Sequence, residues 1–232
     1  MVADNAPTAV DPAAELEALL APIYRRRGDF DLDRLAAFAA GLDSANYATS
    51  HMADAKRCRS KRALLNEAAA KATLPGLVLE FGVFSGRSIN HIAELFPGPV
   101  YGFDSFEGLP ENWGRFRKGH FATALPAVAE NVELVVGWFN ETLPGFLREH
   151  PGDIRLLHVD CDLYSSTRTI FDECRDRIRA GTVIVFDEYF NYPGWRDHEF
   201  RAFQEFVAEA GLNYEYFGLT PQGQQVGAVI TG

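Results

Sequence analysis

Between Pro75 and the C-terminus one pattern governs the chain: short apolar runs rich in Val, Ile, Leu and Phe alternate with longer amphipathic or polar stretches. The runs cover 76–82 (GLVLEFG), 100–104 (VYGFD), 132–136 (VELVV), 154–160 (IRLLHVD) and 182–187 (TVIVFD), with helices predicted at 87–95 and 166–179. Strands separated by helical crossovers can pair in parallel, and both faces of such a sheet need covering helices. The last two runs, 213–218 and 226–231, have only 220–223 (TPQG) as the core of their connection. That is too short for a crossover and predicts an antiparallel hairpin. The expected fold is α/β, with a mostly parallel seven-stranded sheet and a C-terminal hairpin.

Upstream of Pro75 the character differs. Residues 15–72 are Ala/Leu-rich and helical in period, with breaks expected at Gly28 and at 41–44 (GLDS). Residues 1–14 have no period and are expected to form a mobile tail. The chain therefore divides into a tail (1–14), a helical extension or cap (15–72) and one α/β domain (73–232). No internal repeat is visible.

Charge narrows the partners. Against 22 basic residues stand 32 acidic ones, a net charge of −10, which repels phosphate backbones and disfavours nucleic acid. The basic run 56–62 (KRCRSKR) is the local exception and is expected to be a solvated helix face, ahead of a phosphate or anion contact. No apolar stretch approaches the ~18 residues of a membrane span, and the acidic N-terminus has the wrong charge for a secretory signal. Three widely spaced cysteines form neither a disulfide framework nor a zinc site, so a reduced cytoplasm is the expected setting.

Ligands of open α/β sheets bind beyond the carboxyl ends of the strands. The first such turn is 80–88 (EFGVFSGRS), where Gly82 and Gly86 allow close backbone approach and the next helix offers free N–H groups. The spacing is not G-x-G-x-x-G, and Glu80 is unfavourable beside a pyrophosphate. A carboxylate there suits a ligand with positive charge, such as an ammonium or a sulfonium. Asp104 ends the second strand, where an acid accepts hydrogen bonds from ribose hydroxyls.

A second constellation is acidic. Asp160 ends the fourth strand and Asp187 and Glu188 end the fifth, with Asp162 close by. Neighbouring parallel strands bring these carboxylates to one rim, where their crowding is costly unless a proton or cation neutralises them. An all-oxygen set favours Mg²⁺, then Mn²⁺ or Ca²⁺.

These motifs carry a resemblance. Residues 79–88 (LEFGVFSGRS) resemble the first motif of S-adenosylmethionine-dependent class I methyltransferases. Residues 101–110 (YGFDSFEGLP), 137–144 (GWFNETLP) and 159–167 (VDCDLYSST) resemble, more narrowly, the macrocin O-methyltransferase family. The resemblance spans about 53–205 and implies a Rossmann-like methyltransferase fold, Mg²⁺, and methylation of a sugar hydroxyl on a macrolide-type natural product. It further implies that Glu80, Gly82, Ser85, Gly86, Arg87 and Ser88 wrap the methionine part. Asp104 would hold the ribose, and Ser105, Gly137 and Trp138 would lie beside the adenine. Asp160, Asp187 and Glu188 would hold the metal, with Asp160 also facing the methionine. Glu188 departs from the family pattern, which more often has Asp.

For the general base, His120 in the long segment after the second strand is the first candidate and His198 its rival; His91 and His158 are expected to be structural. Trp113, Phe116, Phe121 and Tyr189 are candidate substrate walls. An NAD(P)-dependent oxidoreductase and a non-catalytic nucleoside-binding protein are the alternatives. The missing G-x-G-x-x-G and Y-x-x-x-K weigh against the first, and the intact acid set against the second. The Ala/Leu-rich extension points to a homodimer.

Overall fold

The structure, a computed structural model, describes residues 30–232 together with residues 18, 20 and 21. The expected tail and the break at Gly28 lie outside the described residues.

Strands β1 (Lys56–Arg57), β2 (Leu77–Phe81), β3 (Val100–Asp104), β4 (Val132–Val136), β5 (Ile154–Val159), β6 (Val183–Phe186), β7 (Tyr214–Leu219) and β8 (Val226–Ile230) form one sheet in the order β1-β7-β8-β6-β5-β2-β3-β4. β8 runs antiparallel to both β6 and β7, and every other pairing is parallel. The seven expected strands are thus joined by a two-residue edge, β1, lying in the basic run. β6 is buried at every position, which is why it is apolar throughout rather than alternating.

Helices cover both faces. α2 (Lys61–Lys71) and α3 (Arg87–Leu95) pack Leu64, Leu65, Ala68, Ile89 and Ile92 on one side. On the other, α4 (Phe139–Glu149), α5 (Tyr164–Cys174) and α6 (Glu199–Ala210) bring Leu143, Phe146, Ile170, Phe171, Phe203 and Phe206. Each of these Leu, Ile and Phe side chains stabilises by about 1.5–3 kcal/mol when fully buried. The helix expected over 166–179 begins earlier, at Tyr164, and gives way after Cys174 to a 3₁₀ turn.

α1 (Leu32–His51) corrects one expectation: it continues through Gly41–Ser44 without a break. Asp31 caps it by accepting from the Arg34 amide. Tertiary contacts repay the helix-weakening glycine. Ser44 Oγ accepts from the Asn191 amide (2.8 Å), and Tyr47 joins its hydroxyl to that of Tyr216 (2.8 Å). Burial pushes the Tyr47 hydroxyl up to about 12, so it stays a neutral hydrogen-bonding group.

Candidate active site

The parallel ladder sets the site. The Gly82 amide donates to the Phe103 carbonyl (2.9 Å), Asp160 to Phe81 (2.8 Å) and Asp187 to Val159 (2.9 Å). The first residues past β2, β5 and β6 therefore emerge together on one rim. The approach is so close that a Cβ on Gly82 would lie 1.7 Å from the Asp160 carbonyl oxygen, at a φ of +92°. Only glycine fits there.

Above this rim lies a cavity of about 420 Å³, within the usual range for small-molecule sites. Gly82, Phe84, Asp104 and Ser105 line one side, Trp138, Phe139 and Asn140 the next, and Asp160, Asp162 and Glu188 the far side. Gly108, Leu109, Pro110 and Phe121 close it from the segment after β3. Phe121 packs edge-on to Phe84, with ring centres 5.9 Å apart.

On the first-turn side the polar groups are satisfied internally. Asp104 Oδ2 accepts from the amides of Val83 and Phe84 (both 2.9 Å), and Oδ1 from that of Phe106 (2.7 Å). The carboxylate ties the turn after β2 to the turn after β3 while remaining on the cavity wall. Glu80 is fully buried beneath the turn, where Oε1 accepts from Ser88 Oγ (3.0 Å) and Oε2 lies 2.8 Å from His158 Nδ1. Glu80, Ser85, Gly86, Arg87, Ser88 and Gly137 do not line the cavity. Of these only Glu80 belongs to a strand, and its side chain points away from the rim.

On the acid side charges do not balance. Lys61 Nζ lies 2.5 Å from Asp160 Oδ2 and 2.8 Å from Asp187 Oδ1. This corrects the expected solvated face: Lys61 is only 28% exposed, against 60% for Lys56 and 67% for Arg62 of the same run. Burial opposes its charge, but the two carboxylates prevail and hold it above the ordinary lysine range. Burial, with repulsion from Asp187, raises Asp160 to about 6 against the pull of Lys61. Burial and the charges of Asp160 and Asp187 raise Asp162 to about 7. Burial also raises Glu188 well above the usual range, whereas at Asp187 the attraction of Lys61 outweighs burial and lowers it.

Glu199 completes the group. Fully buried, it accepts from the Glu188 amide through Oε2 (3.1 Å) and from the Cys161 amide through Oε1 (3.4 Å). One carboxylate thus holds both acid loops, and burial raises its pKa strongly. Neither Lys61 nor Glu199 was singled out from sequence. Glu199 had a signal, since it shares the apolar face of α6 with Phe203 and Phe206 at helical spacing. Lys61 had none, its partners lying 99 and 126 residues away.

The donors suit a divalent cation. Glu188 Oε2 and His158 Nε2 are buried without a hydrogen-bond partner among the described residues. His158, Asp160 and Asp187 each bring a ligand atom within 4.8 Å of one another. The carboxylates match Mg²⁺, and the imidazole would add affinity for Mn²⁺.

Among base candidates, His120 is exposed and stacks on Phe116 with ring centres 4.6 Å apart, off the cavity lining. His198 packs near Trp113 and Tyr192, and burial lowers its pKa. Tyr189 is no substrate wall: it is fully buried in the core and hydrogen-bonded to Tyr216. His91 is held by Asn66 and Glu94, in keeping with a structural role.

Comparison with known proteins agrees with this architecture. Residues 79–189 match a family described as a methyltransferase domain. The 8-demethyl-8-(2,3-dimethoxy-alpha-L-rhamnosyl)-tetracenomycin-C 4'-O-methyltransferase of Streptomyces olivaceus is 27% identical over 143 residues, 50% of this chain and 54% of its own. Demethyldecarbamoylnovobiocin O-methyltransferase from Streptomyces niveus is 28% identical over 159 residues, 56% of this chain and 59% of its own. The matches span little more than half the length of these relatives. Among solved structures, the calicheamicin methyltransferase superposes with a TM-score of 0.58 at 22% identity, covering 97% of this chain and 87% of that one. The O-methyltransferase NovP gives 0.59 at 20% identity, over 74% and 80%. The sheet order, the single antiparallel strand and these neighbours together give the chain the Rossmann-like fold of class I methyltransferases, with the matched methyltransferase domain spanning the rim from β2 to the acidic pair.

Proposed function

We propose that the protein is an S-adenosylmethionine-dependent O-methyltransferase that acts on a hydroxyl of a small molecule, a sugar or polyol group of a natural product, with a divalent metal as second cofactor. The observation that carries this is one cavity with two unlike walls: a glycine turn with Asp104 on one side, and an acid group on the other. The sulfonium methyl is already activated. The chain therefore has to place an acceptor oxygen in line with it and take a proton. The oxygen–methyl bond forms as the sulfur–methyl bond breaks, leaving the neutral thioether of S-adenosylhomocysteine.

Asp104 and Ser105 are the ribose-side wall, and Trp138 offers an apolar face to the adenine. Asp160, Asp187 and Glu188 would hold Mg²⁺, which when bound polarises an acceptor oxygen and lowers its pKa. Asp160 stands on the cavity wall and the first base candidate, His120, does not, so Asp160 is assigned the acceptor's proton. The Streptomyces olivaceus relative, whose name specifies a rhamnosyl-bearing compound, supports the sugar or polyol acceptor.

No described helix is long and apolar enough to cross a membrane. The proposal also includes a cytoplasmic setting without membrane partners, no nucleic-acid partner given the net charge of −10, and a homodimer formed through the helical extension 15–72 beside the domain 73–232. Incubation with S-adenosylmethionine, Mg²⁺ and a panel of glycosides and catechols, read by mass, should show a gain of one methyl on a glycoside. Binding of NADH with no response to S-adenosylhomocysteine would overturn the assignment. Light scattering at monomer mass would remove the dimer.

A further inference from the structure

We propose that Lys61 is the resident counter-cation of the Asp160–Asp187 pair, and that a divalent ion enters this site only by displacing it. The inference deepens the metal site proposed above and rests on it.

The basic run places its cations very differently. Lys56 and Arg62 extend to surface acids, Glu67 and Glu94, as solvated pairs of little energetic weight. Lys61, first residue of α2, instead turns inward across the rim to two carboxylates that come from different strands. Ser60 fixes the start of α2 by accepting from the Ala63 amide, so the root of the side chain is held while its long stem remains able to move.

The two cations exclude one another. A divalent ion bound to Asp160 and Asp187 sits about 2.0–2.6 Å from their oxygens. Nζ occupies the same gap, 2.5 and 2.8 Å from an oxygen of each. Two positive charges cannot share it at contact distance. Lys61 also leaves the balance incomplete, since one ammonium faces several carboxylates and Glu188 Oε2 keeps no partner. A divalent ion neutralises more of this charge, which gives it the means to displace the lysine. The lysine spares the site from standing bare without metal.

The test is Mn²⁺ titration of the full chain by calorimetry and by melting temperature, comparing the parent with Lys61→Met, Lys61→Gln and Lys61→Arg. Lys61→Met should bind Mn²⁺ about tenfold or more tightly than the parent, because no buried ion pair has to break first. Without metal its melting temperature should fall below the parent's, and Mn²⁺ should raise it by more than it raises the parent. Lys61→Arg, which keeps the charge, should behave like the parent. Lys61→Gln, which keeps a donor, serves if Lys61→Met does not fold without metal. A folded neutral variant that binds Mn²⁺ no more tightly than the parent overturns the displacement and leaves the metal site standing. If no chain binds Mn²⁺, both fall. S-adenosylhomocysteine binding in the same samples tests the cofactor assignment separately, since Lys61 does not line the cavity.

Discussion

The two walls of the cavity solve the same problem, a carboxylate at a strand tip, in opposite ways. At the first turn Asp104 is surrounded by three backbone amides, so its charge is matched by fixed dipoles of the chain. On the acid side Asp160 and Asp187 share one lysine, with Asp162 and Glu188 close by, and burial with mutual repulsion raises three of the four. A wall complete in itself suits a cofactor held the same way each time. A wall short of positive charge suits a cation and the exchange of substrate oxygens and protons.

Removing metal should break this contrast most severely. EDTA should reduce methyl transfer by about a hundredfold or more, and Mg²⁺ should restore it, since polarisation of the acceptor is worth several kcal/mol. S-adenosylhomocysteine affinity should be unchanged. Next in size is Glu199→Ala, which leaves the Glu188 and Cys161 amides without their buried acceptor. Denaturant unfolding should show a loss of about 2–4 kcal/mol. Glu199→Gln, which keeps one of the two acceptor oxygens and turns its NH₂ towards the other amide, should cost an intermediate amount, about 1–2 kcal/mol.

Smaller again is Asp104→Ala. Of the amides it frees, that of Phe84 is exposed and those of Val83 and Phe106 are partly buried, so stability should fall by about 1–2 kcal/mol, while S-adenosylhomocysteine binding by calorimetry should weaken by about tenfold or more. The smallest effect is a pH slope. Asp162 is raised from 3.8 to about 7, so its contribution to stability is full below about pH 4 and is lost as pH climbs through 7. Without divalent ions, the melting temperature should decline between about pH 4 and 7, and Asp162→Asn should lessen the decline, the raised Asp160 and Glu188 keeping the rest. Asp187, lowered instead, changes charge below this window and does not counter the slope.

The same contrast explains what the sequence disclosed. Strand runs at 100–104 and 132–136 and the helix at 87–95 match the structure residue for residue: burial on both faces of β3 writes a continuous apolar run, β4 at the sheet edge keeps four apolar residues around Glu133, and α3 has a strong helical period. The acids at the tips of β3, β5 and β6 were legible from their position after such runs. Contacts across long sequence distances were not. Lys61 lies in a run that looks solvated, and its inward turn depends on α2 packing beside the rim. The break expected at Gly41–Ser44 failed because Ser44 and Tyr47 make tertiary hydrogen bonds that outweigh local propensity. Glu80 was legible as a strand-tip acid, but its burial against Ser88 and His158 depends on a partner 78 residues away.

The division of labour between the walls is tested most directly by one variant measured in two ways. For Asp187→Asn, S-adenosylhomocysteine affinity by calorimetry and methyl transfer by mass are determined on the same preparation. The account predicts affinity within about twofold of the parent and turnover lower by about a hundredfold or more, because the change falls on the acid wall alone. An Asp187→Asn variant as fast as the parent, or one that loses S-adenosylhomocysteine along with turnover, would contradict it.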